Sequence, residues 1–391
     1  MEAASLRSIA VTCAFTVTLG CSAAVRVTAP VGRRAHIHLA QRDIVPASPI
    51  RAPMRYCAGA VSVPSLDLRQ LDSAPQERAR FLRELRESAR EVGFFYLTGH
   101  GIPERLNEDV MRLARAFFSL PERDKLAIEM VNSPHFRGYT RPAMERTGGL
   151  PDWREQIDIG AERSAVPFSA GLPAWRRLQG PNQWPERLPE LRPTTLRWQA
   201  AAVDVLIRLL RGFALALGQG ENAFETLYHD EPHQLLKLIR YPGRDAVAGT
   251  QGVGPHKDAE LLTLLLQDSQ GGLQVRPAAG DWIDVPPKPG TLVVNVGELL
   301  ELASDGYLKA TLHRALSPPG GTERLSVAFF LGARLDATVP VLPLPPELAR
   351  EARGPDRDPH NPLFRQVGQN YLKGRLRSHP DVARRHYADV L

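Results

Sequence analysis

Two imidazoles and one carboxylate near the C-terminal end of this 391-residue sequence have the types and spacing of a metal site. His256 and Asp258 are separated by one residue, and His313 follows further along the chain. Two histidines and one carboxylate on one face of an ion leave its other positions open, which is typical of oxygen-activating non-haem Fe(II) centres. Arg324 and Ser326 follow, and a planar guanidinium can bind a carboxylate through two hydrogen bonds.

The residues around this set predict the strands that must position it. Many short apolar runs separated by Gly, Pro or Asp predict a β-sandwich or barrel. In a strand, residues two apart share a face, so His256 and Asp258 can point at one ion, and Arg324 and Ser326 into one cavity. The chain between Asp258 and His313 is long enough for several strands to return His313 beside the first pair. The predicted strands are residues 261–266, 273–275, 282–285, 291–296, 311–316 and 325–331.

Other acidic and histidine residues in the sequence imitate parts of this pattern. His379 and Asp381 repeat the spacing, but a proline separates them in a polar C-terminal tail, and no distant histidine completes the set. His229, Asp230 and His233 lie between a predicted helix and a predicted strand, where turn residues are expected. We interpret neither group as a metal site. Three further carboxylates are interpreted as solvent-facing or helix-starting rather than as acid–base catalysts: Glu260, Glu298 and Glu301.

A series of short motifs occurs in one order along the chain. They are Gly-Phe-Phe-Tyr-Leu at 93–97, Gly-His-Gly-Ile at 99–102, Phe-Arg-Gly-Tyr at 136–139, Gly-Pro-Asn-Gln-Trp-Pro at 180–185, Arg-Tyr-Pro at 240–242, His-Lys-Asp at 256–258, Gly-Leu-Gln-Val at 272–275, Asn-Val-Gly-Glu at 295–298, His-Arg at 313–314 and Arg-Leu-Ser at 324–326. With them, residues 61–390 resemble the isopenicillin N synthase-like family of Fe(II)- and 2-oxoglutarate-dependent dioxygenases. The resemblance implies a mainly β fold with flanking helices, whose core is a double-stranded β-helix (jelly roll) with iron inside the barrel mouth.

The resemblance also implies a role for six residues, with Fe(II), 2-oxoglutarate and O₂ as cofactors and co-substrates. The implied iron ligands are His256, Asp258 and His313. The implied 2-oxoglutarate contacts are Arg324, Ser326 and Tyr241. The sequence departs from the family at one position, because many plant relatives have Asn where this chain has Ile239. One polar contact to the co-substrate is therefore missing or supplied elsewhere.

The implied reaction is the oxidation, most simply the hydroxylation, of a small molecule with release of succinate and CO₂. Desaturation and ring closure stay open, as does an oxidase or cyclase of the same family that uses no 2-oxoglutarate. A non-catalytic jelly-roll binding protein is a further alternative, although the intact ligand set argues against it. We expect substrate contacts from residues 136–139, residues 153–157 and the C-terminal segment, with Arg137 and Arg276 as candidate carboxylate contacts.

Periodic apolar residues predict helices on either side of the strand-rich region. Residues 81–92, 106–117 and 196–217 have amphipathic helical spacing and are expected to pack on a sheet. Residues 340–362 are expected to form a surface loop, and residues 366–390 a helical segment that covers the barrel. We divide the chain into a leader at 1–53, an N-terminal helical and mixed region at 61–185, and the oxygenase core at 186–391.

Charge and cysteine content limit the partners and the compartment. The net charge is +6, but the first 53 residues hold six arginines and two acids, so the remainder carries nearly balanced charge. That balance is not typical of a nucleic-acid-binding surface, and no segment is apolar enough to span a membrane. The three cysteines precede residue 58, which favours a reducing cytoplasm. For residues 1–53, we favour a true start at Met54 over a leader for an organelle or for export.

Overall fold

Strands dominate the C-terminal half of the chain, and helices cover one side of them. The structure is a computed structural model that describes residues 62–391 apart from 168, 170, 246–250, 279 and 357. The expected leader and the alternative start at Met54 lie outside the described residues. The chain from Gly59 to Leu391 forms one compact unit that includes both predicted regions. No helix in the described part is both long and apolar enough to cross a bilayer.

The strands and the α-helices of the described residues are each numbered in chain order. The strands are β1 (Ser65–Asp67), β2 (Phe94–Thr98), β3 (Gly138–Thr140), β4 (Arg146–Thr147), β5 (Leu150–Pro151), β6 (Glu155–Gly160), β7 (Gln234–Pro242), β8 (Gln251–His256), β9 (Leu262–Gln267), β10 (Leu273–Arg276), β11 (Ile283–Asp284), β12 (Leu292–Val296), β13 (Leu312–Leu316) and β14 (Glu323–Leu331). The α-helices are α1 (Pro75–Glu91), α2 (Glu104–Phe118), α3 (Glu122–Leu126), α4 (Leu191–Ala216), α5 (Glu225–Tyr228), α6 (Glu298–Ala303), α7 (Pro346–Ala349), α8 (Val367–Ser378) and α9 (Pro380–His386). Each of the six predicted strands has a counterpart from β9 to β14.

Two sheets form the sandwich that the strand pattern predicted. The larger has the order β1-β2-β12-β9-β14-β7-β6-β3, and the smaller has the order β11-β10-β13-β8. Apolar residues from both sheets meet in two buried clusters between them. One cluster joins Phe94 and Val293 of the large sheet to Val275 of the small one. The other joins Tyr241 on β7 to Val253 on β8.

Alternation along the strands assigns each side chain of the large sheet to one of its two faces. On β14, Leu325 and Val327 belong to the main apolar core on the helical side, whereas Arg324 and Ser326 line a pocket on the other side. Strand β9 follows the same rule, because Leu262 and Leu264 enter the core while Thr263 lines the pocket. Side chains in a strand point to opposite faces in turn. One face of the sheet therefore builds the core, and the other builds the site.

Helices α1, α2 and α4 pack on the face of the large sheet opposite the pocket, as predicted. Their buried residues join the main apolar core, and Trp198 of α4 donates a hydrogen bond to Asn107 of α2 at 2.9 Å. Residues 366–390 contain α8 and α9, as predicted. The predicted surface loop at 340–362 is partly wrong, because it contains the short helix α7 and buries Leu342 and Leu348.

Candidate active site

The two predicted histidines and the predicted aspartate converge between the sheets. Strand β13 pairs with β8 so that His313 lies opposite His256, and Asp258 follows just beyond the end of β8. The Oδ1 atom of Asp258 lies 3.6 Å from Nε2 of His256 and 3.5 Å from Nε2 of His313. One ligand atom from each residue lies within 4.8 Å of the others, and no other such group occurs among the described residues. These distances leave space for one ion in contact with all three atoms.

Backbone carbonyls orient both imidazoles towards this centre. Nδ1 of His256 lies 2.9 Å from the carbonyl oxygen of Gly254, and Nδ1 of His313 lies 3.0 Å from that of Thr311. A carbonyl oxygen can only accept a hydrogen bond, so each Nδ1 carries a proton and each Nε2 faces the centre. Histidines that bind metals are commonly fixed by such a bond from their other ring nitrogen.

Two neighbouring strands hold the carboxylate of Asp258. Its Oδ2 atom accepts hydrogen bonds from Oγ1 of Thr263 at 2.5 Å and from Nδ2 of Asn295 at 2.8 Å. Both donors bind the same oxygen, which leaves Oδ1 facing the imidazoles. The residue is 5% exposed, so these bonds replace most of its hydration.

Charges within the site keep the carboxylate ionised and shift the pKa values of the two imidazoles in opposite directions. Burial and the nearby charge of His313 lower the pKa of His256 to about 3, so this imidazole is neutral near pH 7. Burial opposes the charged form of Asp258, but the charge and hydrogen bond of His313 outweigh it and hold the carboxyl pKa well below its usual range. Burial likewise opposes a charge on His313, yet Asp258 raises its pKa. A neutral imidazole and an ionised carboxylate are the forms that bind metal, so a metal ion would replace the proton that Asp258 favours on His313.

Arg324 provides a buried cation in the same pocket. It is 1% exposed, and its guanidinium lies 4.9 Å from the ring centroid of Tyr241, its register partner on β7. Nη2 donates a hydrogen bond to Oε1 of Gln267 at 3.0 Å, whereas Nε is buried without a hydrogen-bond partner. Ser326 lines the pocket two residues further along β14, opposite Ile239. An unpaired buried donor beside a hydroxyl fits a carboxylate ligand.

The two arginines expected to contact a substrate carboxylate, Arg137 and Arg276, do not line the pocket. Arg137 does not reach the pocket, because it is buried and donates hydrogen bonds to the carbonyls of His135 at 2.8 Å and Leu178 at 3.1 Å. Arg276 is exposed and stacks on Trp282 at 5.3 Å. In the segment 153–157, from which substrate contacts are expected, residues 155–157 belong to β6, and Arg154 just before the strand lines the pocket.

Three of the acidic and histidine residues not assigned to the site are more buried than expected. Glu260 and Glu301 are not solvent-facing, since they are 7% and 1% exposed, and burial raises the pKa of Glu260 to about 8. Glu298 and Glu301 do start helix α6, as predicted. His379 is 1% exposed and lies 3.4 Å from Glu145, so its segment is not a polar tail.

Four residues of the pocket and its surroundings were not singled out from the sequence. Thr263 is the one polar side chain in the run 261–266. A single polar residue in an otherwise apolar strand is a sequence signal that points to it. Asn295 was noted only as part of a motif. Gln267 gives no local signal, because its contact with Arg324 depends on how distant strands pair. Arg154 lies in the segment 153–157 expected to contact the substrate, but nothing in the sequence distinguishes it within that segment.

Comparison with known proteins places the chain in a family. Residues 63–187 match the model described as the N-terminal region of non-haem dioxygenases in morphine synthesis, and residues 232–333 match that of the 2OG-Fe(II) oxygenase superfamily. The 2-oxoglutarate-dependent dioxygenase frbJ of Dothideomycetidae sp. (strain 11243) is 38% identical over 348 residues, which is 84% of this chain and 94% of that protein. The chain belongs to the 2OG-Fe(II) oxygenase superfamily.

Other members of the superfamily support the same assignment. The homoarginine-6-hydroxylase 2-ODD-C23 of Glycine max is 37% identical over 265 residues, covering 66% of this chain and 79% of that protein. The solved structure of a rice dioxygenase for auxin oxidation has a TM-score of 0.58 at 28% identity, covering 83% of this chain and 99% of that one. A 2OG-Fe(II) oxygenase family protein from Caulobacter crescentus has a TM-score of 0.65 at 27% identity and covers 80% and 98%. The predicted jelly-roll fold is confirmed.

The protein is therefore a 2-oxoglutarate-dependent non-haem iron dioxygenase that acts on a small molecule and uses Fe(II), 2-oxoglutarate and O₂. This confirms the prediction of an enzyme over a non-catalytic jelly-roll protein. It also favours the 2-oxoglutarate-dependent interpretation over the oxidase alternative, because the matched relatives are named for that co-substrate.

Proposed function

We propose that His256, Asp258 and His313 bind the Fe(II) of this dioxygenase. The observation that carries the proposal is the convergence of two Nε2 atoms and one Oδ1 atom, each fixed by a hydrogen bond from the other side of its side chain. Two nitrogens and one oxygen on one side of an ion suit Fe(II) with open positions opposite.

We propose further that Arg324, Ser326 and Tyr241 hold 2-oxoglutarate. Arg324 would bind the carboxylate far from the iron, with the hydroxyl of Ser326 beside it. The ring of Tyr241 supports the guanidinium from one side, and the bond to Gln267 fixes its orientation. Ile239 lines the pocket where plant relatives have Asn, so this chain has no amide at that position.

The reaction proposed is hydroxylation of a C–H bond in a small molecule. Bound iron and 2-oxoglutarate supply the oxidant from O₂, with release of succinate and CO₂. The chain positions the reactants and limits water, since apolar side chains form much of the pocket wall. They are Phe94, Ile239, Val253, Leu265, Leu273, Ala315, Ala328 and Phe330. The name of the Glycine max relative supports hydroxylation over desaturation or ring closure. A cytoplasmic location stays a prediction.

Iron stoichiometry tests the ligand assignment. His313→Ala removes one donor and should lower iron content and activity together, while the fold is kept because the apolar core lies on the other face of the large sheet. His229→Ala is a matched control, since that histidine is 62% exposed. An aerobic screen of metabolites, scored by substrate-dependent succinate formation, tests the reaction. Full iron content in His313→Ala would overturn the assignment.

A further inference from the structure

A second arginine approaches the pocket from the side opposite Arg324. Arg154 lies immediately before β6 and lines the pocket, although its side chain is only 10% exposed. In the large sheet, β7 lies between β6 and β14, and Tyr241 on β7 is the register partner of Arg324 on β14. The two guanidiniums therefore enter the pocket from opposite sides of β7.

The hydrogen bonds of Arg154 fix its position but leave a donor unused. Nη2 lies 2.6 Å from Oε2 of Glu145 and 3.6 Å from Oδ2 of Asp152. Glu145 also accepts a hydrogen bond from Nζ of Lys237 at 2.8 Å, so two cations share its charge. Nε of Arg154 is buried and has no hydrogen-bond partner. Buried donors in native proteins are usually paired, so this Nε, on a side chain that lines the pocket, is available to an acceptor on a ligand.

Arg154 differs in this respect from the third arginine that lines the pocket. Nε of Arg314 donates to Oε1 of Gln274 at 2.8 Å, and its guanidinium stacks on Trp282 at 4.1 Å. The Nε donor of Arg314 therefore already has a hydrogen-bond partner, unlike that of Arg154. Burial opposes the charge of Arg154, but Glu145 and other nearby groups raise its pKa, so it stays cationic.

The segment that carries Arg154 is also attached to the strand that carries His256. Oδ1 of Asp152 accepts a hydrogen bond from the backbone N–H of Gly254 at 3.3 Å. Gly254 in turn lies on β8, two residues before His256. A ligand bound to Arg154 would therefore lie on the iron side of the pocket, with Arg324 on the far side of β7.

We propose that Arg154 binds a carboxylate of the substrate, and that the enzyme accordingly acts on small carboxylic acids, amino acids included. The inference rests on the proposed function, which assigns the other guanidinium to 2-oxoglutarate. A carboxylate would pair the unused Nε donor and add a charge-assisted hydrogen bond in a pocket with largely apolar walls. A neutral amide at the same place would offer one weaker acceptor and would bring N–H donors towards a cation.

Binding to the holoenzyme tests this without turnover. The enzyme with Fe(II) and 2-oxoglutarate is titrated anaerobically with L-amino acids and short aliphatic acids, each paired with its primary amide. The readout is the change that a bound substrate causes in the visible charge-transfer band of the iron–2-oxoglutarate complex. We expect at least one acid to bind about tenfold or more tightly than its amide. Arg154→Gln should remove this preference and leave 2-oxoglutarate binding unchanged.

Two variants separate recognition from a structural role. Arg146→Gln alters an exposed arginine on the adjacent hairpin and should behave like the wild type. Glu145→Gln removes the main partner of Arg154 but keeps the guanidinium, so the preference for acids should survive. If Arg154 were only structural, Glu145→Gln and Arg154→Gln would lower thermal stability alike and neither would change the preference.

Several results would overturn the inference. These are the absence of any acid that binds, a preference of the wild type for amides, or an unchanged preference for acids in Arg154→Gln. Failure of the wild type to form the charge-transfer band at all is a different outcome. It would overturn the proposed function itself, and the inference with it.

Discussion

Asp258 depends on its neighbours more than either histidine does, because a buried carboxylate must be held ionised and correctly turned. Thr263→Val keeps the shape of the side chain but removes the 2.5 Å hydrogen bond to Oδ2. Loss of a residue that orients a metal ligand commonly costs about 10- to 100-fold in metal affinity, so we expect Fe(II) binding to weaken by about tenfold or more in an anaerobic titration. Thr291→Val removes a hydroxyl that donates to the carbonyl of Lys288 on an exposed turn, and it should leave the affinity unchanged.

Arg324 is expected to control 2-oxoglutarate rather than iron. Arg324→Ala leaves the co-substrate carboxylate desolvated and unpaired, a loss of roughly 2 to 5 kcal/mol. The apparent KM for 2-oxoglutarate should rise by about 30-fold or more while iron binding is nearly intact. Arg324→Lys should restore only part of the affinity, since an ammonium lacks the planar fork. Equal KM values for the wild type and Arg324→Ala would disprove the role.

Residue types revealed the proposed ligands because few side chains bind iron or a carboxylate. His256, Asp258 and His313 could be found from chemistry and order alone. Arg154 could be placed only within the expected segment 153–157, because its proposed role depends on a pairing with Glu145 and on a strand position that distant residues determine. Residue types therefore point to the proposed metal ligands more directly than to the residue proposed to bind the substrate.

At the scale of elements, the start of α6 fixes the backbone at the site. The backbone N–H of Glu298 donates to the carbonyl of Asp258 at 2.8 Å. A Cβ on the preceding Gly297 would lie 2.0 Å from the carbonyl oxygen of Glu260, so the two segments can approach only with glycine there. Gly297→Ala should lower stability by about 1–3 kcal/mol and weaken iron binding, measured by thermal melting and Fe(II) titration.

Gly271→Ala is the matched control for this prediction. A Cβ at Gly271 would meet no atom within 4 Å, so melting temperature and iron affinity should both stay close to those of the wild type. Wild-type iron affinity in Gly297→Ala would show that the contact does not position Asp258.

The elements that sequence patterns found are those whose buried faces are apolar. Strands β9 to β14 and helices α1, α2 and α4 have clear apolar periodicity. Strand β6 does not, because Glu155 and Asp158 are buried there in ion pairs with Lys125, Lys237 and other cations. Charged residues in a short run are typical of a loop, and only the partners on other elements make them part of a sheet.

At the scale of the whole molecule, helix α8 packs beside a partly buried histidine that precedes β7. The ring of His233 lies 4.3 Å from that of Tyr371 on α8. Burial and then the charges of Arg137, Arg375 and Arg163 lower the pKa of His233 well below its ordinary value. The folded protein therefore does not accept a proton that the unfolded chain accepts near about pH 6.5.

This difference predicts a loss of stability in acid. As the pH falls below about 6.5, the free energy of unfolding should decrease until the lower pKa of the folded state is reached. His233→Gln removes the titration, so its melting temperature should fall less than that of the wild type between about pH 7 and pH 5. His229→Gln, at an exposed position, should keep the wild-type dependence. A parallel decline in His233→Gln and the wild type would refute the explanation.

The fold class of the whole molecule followed from many short strands between amphipathic helices, whereas the sheet order did not. Strand β2, near the N-terminus, lies between β1 and β12 in the large sheet. Such pairings join residues far apart in the chain and leave no local pattern. They nevertheless decide which side chains of β7, β9, β12 and β14 share the pocket.

One titration tests the central claim most directly. Metal-free enzyme is given Fe(II) under anaerobic conditions and then 2-oxoglutarate, while the visible charge-transfer band of the bound 2-oxoacid is followed. The wild type should bind both in proportion to the protein and develop the band, and His313→Ala should bind little iron and develop none. A band of equal strength in His313→Ala would contradict the account.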